Sequence, residues 1–293
     1  MPRIAYVNGR YLPHAAATVH VEDRGYQFAD GVYEVIAVHK GGFLGEKGHM
    51  DRLDHSLSEL RIVSPMARKP MMMVLREVVR RNGVLDGLVY LQITRGVAPR
   101  DHPFPSKCTS SLVVTAVKRP PINKIDLLAG ISVISIPDIR WKRRDIKSVS
   151  LLPNVLGKQQ AIEVGAQEAW FIDNDGFVTE GTATNAWIVA KGGELITRDI
   201  SENILNGITR LALLEAAREK GVSLVERPFT IAEAIDAPEA FISSSNSHVK
   251  AVTRINGQSV GNGHAGELTT RLLDIYMDFI ESAGGPQQTD RWN

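Results

Sequence analysis

The apolar positions change period along the chain. Residues 4–7 and 10–12 are short strand-like runs flanking Asn8-Gly9, a strong hairpin signal because both residues tolerate positive φ. Residues 32–39 alternate loosely, are rich in β-branched side chains, and reach a turn at Gly41-Gly42. Then Met50, Leu53, Leu57 and Leu60 recur at helical spacing, which predicts an amphipathic helix over 49–60. A second helix is expected over 71–82, stopped by Gly83, with Met71-Met72-Met73 filling the core. Strands over 88–95 and 112–117 complete an α+β unit of ordinary domain size.

Lys118-Arg119-Pro120-Pro121 interrupts this pattern, since adjacent prolines continue neither a helix nor a central strand. Beyond it, strands are expected over 130–137, 168–172, 185–189 and 194–197, with Asn174-Asp175-Gly176 as a turn. A helix follows over 208–220, ending at Gly221. Strands over 223–227, 240–243 and 251–255 precede a closing amphipathic helix over 268–280. The expected organisation is a small α+β domain (1–118), a linker (119–124), a larger domain (125–282) and a loose tail (283–293). The second domain reads as a largely antiparallel sheet or barrel with helices outside it.

Composition narrows the function. The 293 residues are 43% hydrophobic with a formal net charge of +1. That balance makes no case for nucleic acid as a partner. No apolar run approaches the roughly 18 residues that span a bilayer. The amino terminus lacks the apolar core of a signal peptide, so a cytoplasmic protein is expected. Cys108 is the lone cysteine, which leaves no intrachain disulfide and no cysteine-based zinc site; no metal is expected.

The candidate chemistry centres on Lys147. It stands in neither the strand-like run 131–136 nor the helix-like run 155–164, among small and apolar residues, with Lys142, Arg143 and Arg144 upstream. A lysine amine in a partly dry pocket beside other cations loses its proton more readily, and only the neutral amine attacks a carbonyl. Lys147 is therefore read as a Schiff-base lysine for an aldehyde cofactor, against the alternative of an exposed lysine on a basic loop. Five further features bear on it. Asn206-Gly207-Ile208-Thr209 opens a helix, where free amides and the helix dipole receive a phosphate. The run Ser243–Ser247 at a strand end offers hydroxyls, though an ordinary polar loop has the same composition. Arg52 can meet a phosphate dianion or face solvent. Glu180 can pair with a protonated pyridine nitrogen or lie in a surface turn. Arg100 and His102, in a loop stiffened by Pro99, Pro103 and Pro105, can bind a carboxylate together with Tyr33.

The order of these residues, with the stretches Glu22–Val35, His49–Leu53, Pro99–Pro105, Asp145–Ser148 and Gly207–Arg210, resembles the D-amino acid aminotransferases of the branched-chain-aminotransferase-like group, fold type IV, from about Tyr6 to about Ile280. The resemblance implies an α+β, two-domain enzyme that uses pyridoxal 5'-phosphate and moves the amino group of D-amino acids to a 2-oxo acid such as pyruvate or 2-oxoglutarate. It implies Lys147 as the Schiff-base lysine and general acid/base, and Glu180 opposite the pyridine nitrogen. Arg52, the backbone of Ile208 and Thr209, and Ser245 would hold the phosphate. Tyr33, Arg100 and His102 would trap the substrate carboxylate. It also implies a homodimer, because in the family the Arg-x-His loop reaches in from the partner. Two departures stand out: Ala183 breaks a hydroxyl run after the glutamate, and the phosphate loop is serine-rich rather than threonine-rich. The rival readings are a branched-chain L-amino acid transaminase, an aminodeoxychorismate lyase of the same fold, and a non-enzymatic module that binds a phosphorylated ligand.

Overall fold

A computed structural model describes residues 3–283; residues 284–293, which hold most of the expected loose tail, lie outside the described residues. The chain forms two compact units. One takes residues 3–121 together with Ile146–Ser150, and the other takes Ile122–Asp145 and Leu151–Glu281.

The first unit is an antiparallel sheet with two helices packed on it. Its elements are β1 (Ile4–Val7), β2 (Arg10–Pro13), α1 (Arg24–Phe28), β3 (Gly31–His39), β4 (Gly42–Phe43), α2 (Glu46–Glu59), α3 (Arg68–Arg81), β5 (Gly87–Thr94) and β6 (Ser111–Lys118). The strand order is β2-β1-β6-β5-β3-β4. Asn8 and Gly9 turn the first hairpin with φ of 45° and 91°, values that asparagine tolerates and glycine, lacking a Cβ, adopts freely. Met50, Leu53 and Leu57 of α2 join Met71, Met72, Leu75 and Val78 of α3 in one core against Val32, Ile36, Val89 and Leu91. Met73 departs from the expected role and faces solvent. Helix α3 begins before its first apolar residue, with Pro70 in its first turn, where a missing N–H leaves no helical bond unmade.

Ile146–Ser150 belongs with this unit because its backbone is tied to β3 and α2. Tyr33 N donates to Lys147 O (3.0 Å), Val149 N donates to Gly31 O (3.0 Å), and Lys147 N donates to Ser56 Oγ (3.1 Å). Ile146 is buried in the same core.

The second unit contains α4 (Lys124–Leu128), β7 (Ile131–Pro137), α5 (Leu152–Glu163), β8 (Glu168–Ile172), β9 (Val178–Gly181), β10 (Asn185–Val189), β11 (Leu195–Thr197), α6 (Ile208–Glu219), β12 (Leu224–Glu226), α7 (Ile231–Asp236), β13 (Glu239–Ser244), β14 (His248–Ile255), β15 (Gln258–Ser259) and α8 (Glu267–Ala283). Among the described residues the strands run β12-β11-β10-β13-β14-β7-β8-β9, with β15 beside β14. The sheet is mixed: β11–β12, β14–β7 and β7–β8 are parallel, and the other pairs are antiparallel. The parallel pairs need crossovers, and α5 supplies the one between β7 and β8 and packs on β8. Trp170, Phe229 and the aliphatic strand residues around them form its main core.

Helices α1, α4 and α7 are five or six residues long, too short to show a period in the sequence. Each is opened by a side chain that accepts from an early amide: Asp23 from Gly25, Asn123 from Ile125, and Thr230 from Glu233. Such a cap stabilises a helix by about 1 kcal/mol.

Candidate active site

In the first unit, β3 presents alternate residues to two environments. Val32, Glu34 and Ile36 are fully buried, while Tyr33 and Val35 are half-buried. The half-buried Lys147 extends to the Tyr33 ring, with Nζ 4.3 Å from its centroid, and Tyr90 lies 5.7 Å from that ring. An aromatic face attracts an ammonium group and costs a neutral amine nothing. The upstream cations do not stand as expected. Arg143 grips Asp145 through two bonds of 3.0 and 2.9 Å, and Arg144 donates to Asn203 Oδ1 (2.9 Å) and lies 3.2 Å from Asp138. Their charges are answered by groups of the second unit, so they are not the bare like-charge neighbours that the sequence suggested.

Glu34 is the anchor beneath this surface. Arg52 on α2 donates Nε to Oε1 (2.8 Å) and Nη2 to Oε2 (2.7 Å), and His49 Nδ1 lies 2.7 Å from Oε2. Burial works to raise the Glu34 proton affinity, but the Arg52 charge, its two hydrogen bonds and the imidazole overrule it and hold the carboxyl at about 2. Burial pushes His49 below the usual imidazole range, and the Lys147 charge adds to that. A neutral His49 facing an ionised carboxylate must donate from Nδ1. Arg52 is thus locked in place, rather than spread over the solvated face of α2.

Arg100 and His102 are exposed on the loop after β5. Both stand over the Phe28 ring, the guanidinium at 5.2 Å and the imidazole at 5.6 Å. The loop is held from beneath by Arg24, a residue of the Glu22–Val35 stretch to which the sequence reading gave no role.

In the second unit, Glu180 lies inside β9, buried, and not in a surface turn. Arg140 Nη1 donates to Oε1; Asn185 Nδ2 (3.2 Å) and Leu205 N (3.1 Å) donate to Oε2. Burial pushes this carboxyl above its usual range, against the pull of Arg140 and the Leu205 amide. Arg140 is shared: Nη2 also reaches Asp138 Oδ2 (2.8 Å) and Thr179 Oγ1 (3.1 Å). Asn185 links Glu180 to the start of α6. A Cβ on Gly207 would stand 2.1 Å from Asn185 Oδ1, so a side chain there would push Asn185 off its bond to Glu180. No side chain caps the amino end of α6, where Ile208 and Thr209 are the first helical residues. Ser245 is half-buried at the β13–β14 turn. Ser243 is committed elsewhere, accepting from Trp187 Nε1 at 2.8 Å. Ala183 faces outward, while Thr182 and Thr184 beside it donate to the buried Glu168.

The structure therefore gathers Lys147 with Tyr33 and Arg100 with His102 in one unit, and Glu180 with the α6 start in the other. Sequence reasoning assigned no role to Glu34, His49, Arg24, Asp138 or Arg140, although the first three lie in the stretches that carry the resemblance. Glu34 did carry a signal, a lone charge in an apolar row.

Residues 31–255 match the family model described as amino-transferase class IV. A D-alanine aminotransferase from Listeria innocua is 39% identical over 281 residues, 95% of this chain and 96% of that one. Another from Bacillus licheniformis is 40% identical over 277 residues, 94% and 96% of the two chains. A solved branched-chain amino acid aminotransferase from Escherichia coli aligns over 100% of this chain and 98% of its own with a TM-score of 0.88 at 24% identity, a likeness of fold. With its fold matched end to end and its sequence matched over more than nine-tenths of its length, the chain belongs to the class IV amino-transferase family.

Proposed function

We propose that the protein transfers the amino group of D-amino acids of the D-alanine type to a 2-oxo acid, such as pyruvate or 2-oxoglutarate. Lys147 carries this reading: a half-buried amine with an aromatic face beside it, fixed through its own backbone to β3 and α2. The choice of D-alanine is supported by the relatives of that name, which are more similar to this chain than the branched-chain enzyme is.

Pyridoxal 5'-phosphate is the cofactor of the class IV aminotransferases, and the donor set suits it. An amine suits the aldehyde. A carboxyl whose proton affinity is raised by burial suits a protonated pyridine nitrogen, which is Glu180. An uncapped helix start and a locked guanidinium suit a phosphate dianion. Ile208 and Thr209 amides, Arg52 and the Ser245 hydroxyl would hold that phosphate. When bound, the cofactor supplies an electron sink for the substrate α-carbon. Lys147 Nζ takes the α-proton. Tyr33, Arg100 and His102 bind the α-carboxylate and so decide which hydrogen faces Lys147.

A cytoplasmic homodimer completes the reading. Among the described residues no helix is long and apolar enough to cross a membrane. Helix α5 buries only Gly157 and Ala161 while exposing Leu152, Val155, Leu156 and Ile162, an apolar face that a second copy would cover.

Pyruvate release from D- and L-alanine with 2-oxoglutarate as acceptor tests the assignment. D-alanine is expected to turn over at least about tenfold faster, since losing about 1.4 kcal/mol of carboxylate binding in the wrong enantiomer is a factor of ten. Faster turnover of L-alanine overturns the stereochemistry. Borohydride treatment and peptide mapping are expected to leave a pyridoxyl group on Lys147, and a label elsewhere overturns the lysine's role.

A further inference from the structure

The loop that carries Arg100 and His102 has little of its own to hold it. Pro99, Pro103 and Pro105 lack amide donors, and the His102 amide is spent on Asp101 Oδ1 (2.8 Å). Both functional side chains are exposed. The loop's fixed points lie beneath it. Arg24 donates Nη1 to Asp101 O (2.6 Å) and Nη2 to His102 O (3.3 Å). Its third nitrogen, Nε, donates to Asp30 Oδ2 (2.8 Å).

Asp30 is in turn gripped by Arg95 through bonds of 2.7 and 2.9 Å, and Arg95 also donates to the Leu60 and Arg61 carbonyls. The Arg95 guanidinium lies 3.6 Å from the Phe104 ring centroid, which pins the far side of the loop. The Arg24 guanidinium stacks on Phe28 at 4.8 Å, the same ring that carries Arg100 and His102. Helix α1, which presents Arg24 and Phe28, is pressed against β5: a Cβ on Gly25 would stand 2.2 Å from Thr94 Cγ2. Arg24 is only 4% exposed and each of its three nitrogens is engaged within the protein, so its contacts go to the loop and to Asp30.

We propose that Arg24, with the Phe28 ring beneath it, is a positioning residue that sets the height and direction of Arg100 and His102 and thereby the affinity for the substrate carboxylate. The inference rests on the reading that this loop binds that carboxylate. A planar guanidinium is needed because three donors must point to two carbonyls and a carboxylate at once. An ammonium keeps the charge beside Asp30 but cannot span all three. Asp30 stays neutralised by Arg95 in either case, so the group is not left with a bare buried charge.

Steady-state kinetics of Arg24→Lys, Phe28→Leu and Arg100→Ala separate the possibilities. Arg24→Lys is expected to raise KM for D-alanine about tenfold, with kcat within about twofold, as for loss of binding that is equal in ground and transition states. Phe28→Leu is expected to raise KM about threefold, in line with loss of an exposed cation–π contact. Inhibition by a simple carboxylate such as propionate should weaken by the same factor as KM in each variant. Borohydride labelling of Lys147 should be retained. In Arg24→Lys/Arg100→Ala, KM should rise above that of Arg100→Ala by a smaller factor than Arg24→Lys causes alone, because Arg24 acts through the loop and only His102 remains there to be displaced. Arg100→Ala raising KM while Arg24→Lys and Phe28→Leu leave it unchanged overturns the inference and spares the loop's role. Arg100→Ala leaving KM unchanged overturns the reading on which the inference rests. Should Arg24→Lys not fold, the Phe28→Leu arm decides alone: an unchanged KM there overturns the proposal.

Discussion

Glu34 in the first unit and Glu180 in the second are both sealed from water and both paired with an arginine, yet their proton affinities move in opposite directions. Glu34 has both of its oxygens gripped by one guanidinium, with an imidazole donor added. Glu180 has one oxygen on a guanidinium that also serves Asp138, and its other oxygen meets neutral donors from Asn185 and Leu205. Desolvation is the largest single influence in each case, and it always opposes the charged form. A guanidinium on both oxygens overcomes that influence at Glu34, and a guanidinium on one oxygen does not at Glu180. The same burial therefore makes one carboxylate a permanent anchor and leaves the other receptive to a proton. An anchor suits the residue that locks Arg52. A receptive carboxyl suits the proposed partner of a pyridine nitrogen.

The strongest way to break this comparison is Glu34→Gln. Removing one charge from a buried pair strands the other, and the expected loss is about 3–5 kcal/mol of stability at neutral pH. The pH profile sharpens the point. A carboxyl lowered from 4.5 to about 2 contributes stability that is complete above pH 4.5 and fades as pH falls toward 2, about 3 kcal/mol in all. Urea midpoints between pH 2 and 8 should show this acid limb in the wild type and lack most of it in Glu34→Gln. Glu180 has the opposite sign. Its raised affinity contributes stability below pH 4.5 that is lost as pH rises through its folded value. An acid limb that survives Glu34→Gln intact would show that the two-oxygen grip of Arg52 is not what separates the two sites.

Next in size is Glu180→Gln, whose effect is expected on the reaction more than on the fold. An amide cannot hold the proton on the pyridine nitrogen, and kcat with D-alanine should fall about 10²-fold, near the lower end for a proton-positioning group. Arg140 keeps Asp138 in that variant, so the melting temperature should change less than in Glu34→Gln. A kcat within about threefold of wild type would mean that Glu180 is only structural.

How far these sites could be read in advance depends on where their signals lie. Lys147 stood out because it falls between a strand pattern and a helix pattern, and strands β8 and β10 occupy the residues expected of them as short apolar runs. The return of Ile146–Ser150 to the first unit could not be read, because the Tyr33–Lys147 and Gly31–Val149 bonds are backbone bonds that leave no mark on side-chain type. Arg24 was hidden for a similar reason: it binds loop carbonyls far away in sequence, and its helix is too short to show a period. Arg140 resembled any arginine in a basic stretch until Asp138 and Glu180 were found on either side of it. Glu34 was legible in principle, because a charge between Val32 and Ile36 on one strand face requires a partner.

The smallest expected effect tests the sharing of Arg140 itself. Thr179 Oγ1 donates to Asp138 Oδ2 (2.9 Å) and accepts from Arg140 Nη2 (3.1 Å), so it helps to hold the guanidinium on the Asp138 side. Thr179→Val keeps the volume and removes both of these bonds, together with the 3.2 Å contact to Phe171 O. Asp138 retains Arg140 and Arg144, so nothing is stranded, and the expected loss is about 1 kcal/mol. With one tie to Asp138 gone, Arg140 commits more of its charge to Glu180, and the Glu180 affinity should move down toward the range in which Glu34 rests. The stability lost on the alkaline side should then begin at lower pH in Thr179→Val than in wild type, as read from urea midpoints between pH 4 and 8. A variant that destabilises as much as Glu34→Gln would mean that Glu180 depends on its arginine as heavily as Glu34 does. In that case divided charge would not be what makes the second carboxyl receptive to a proton.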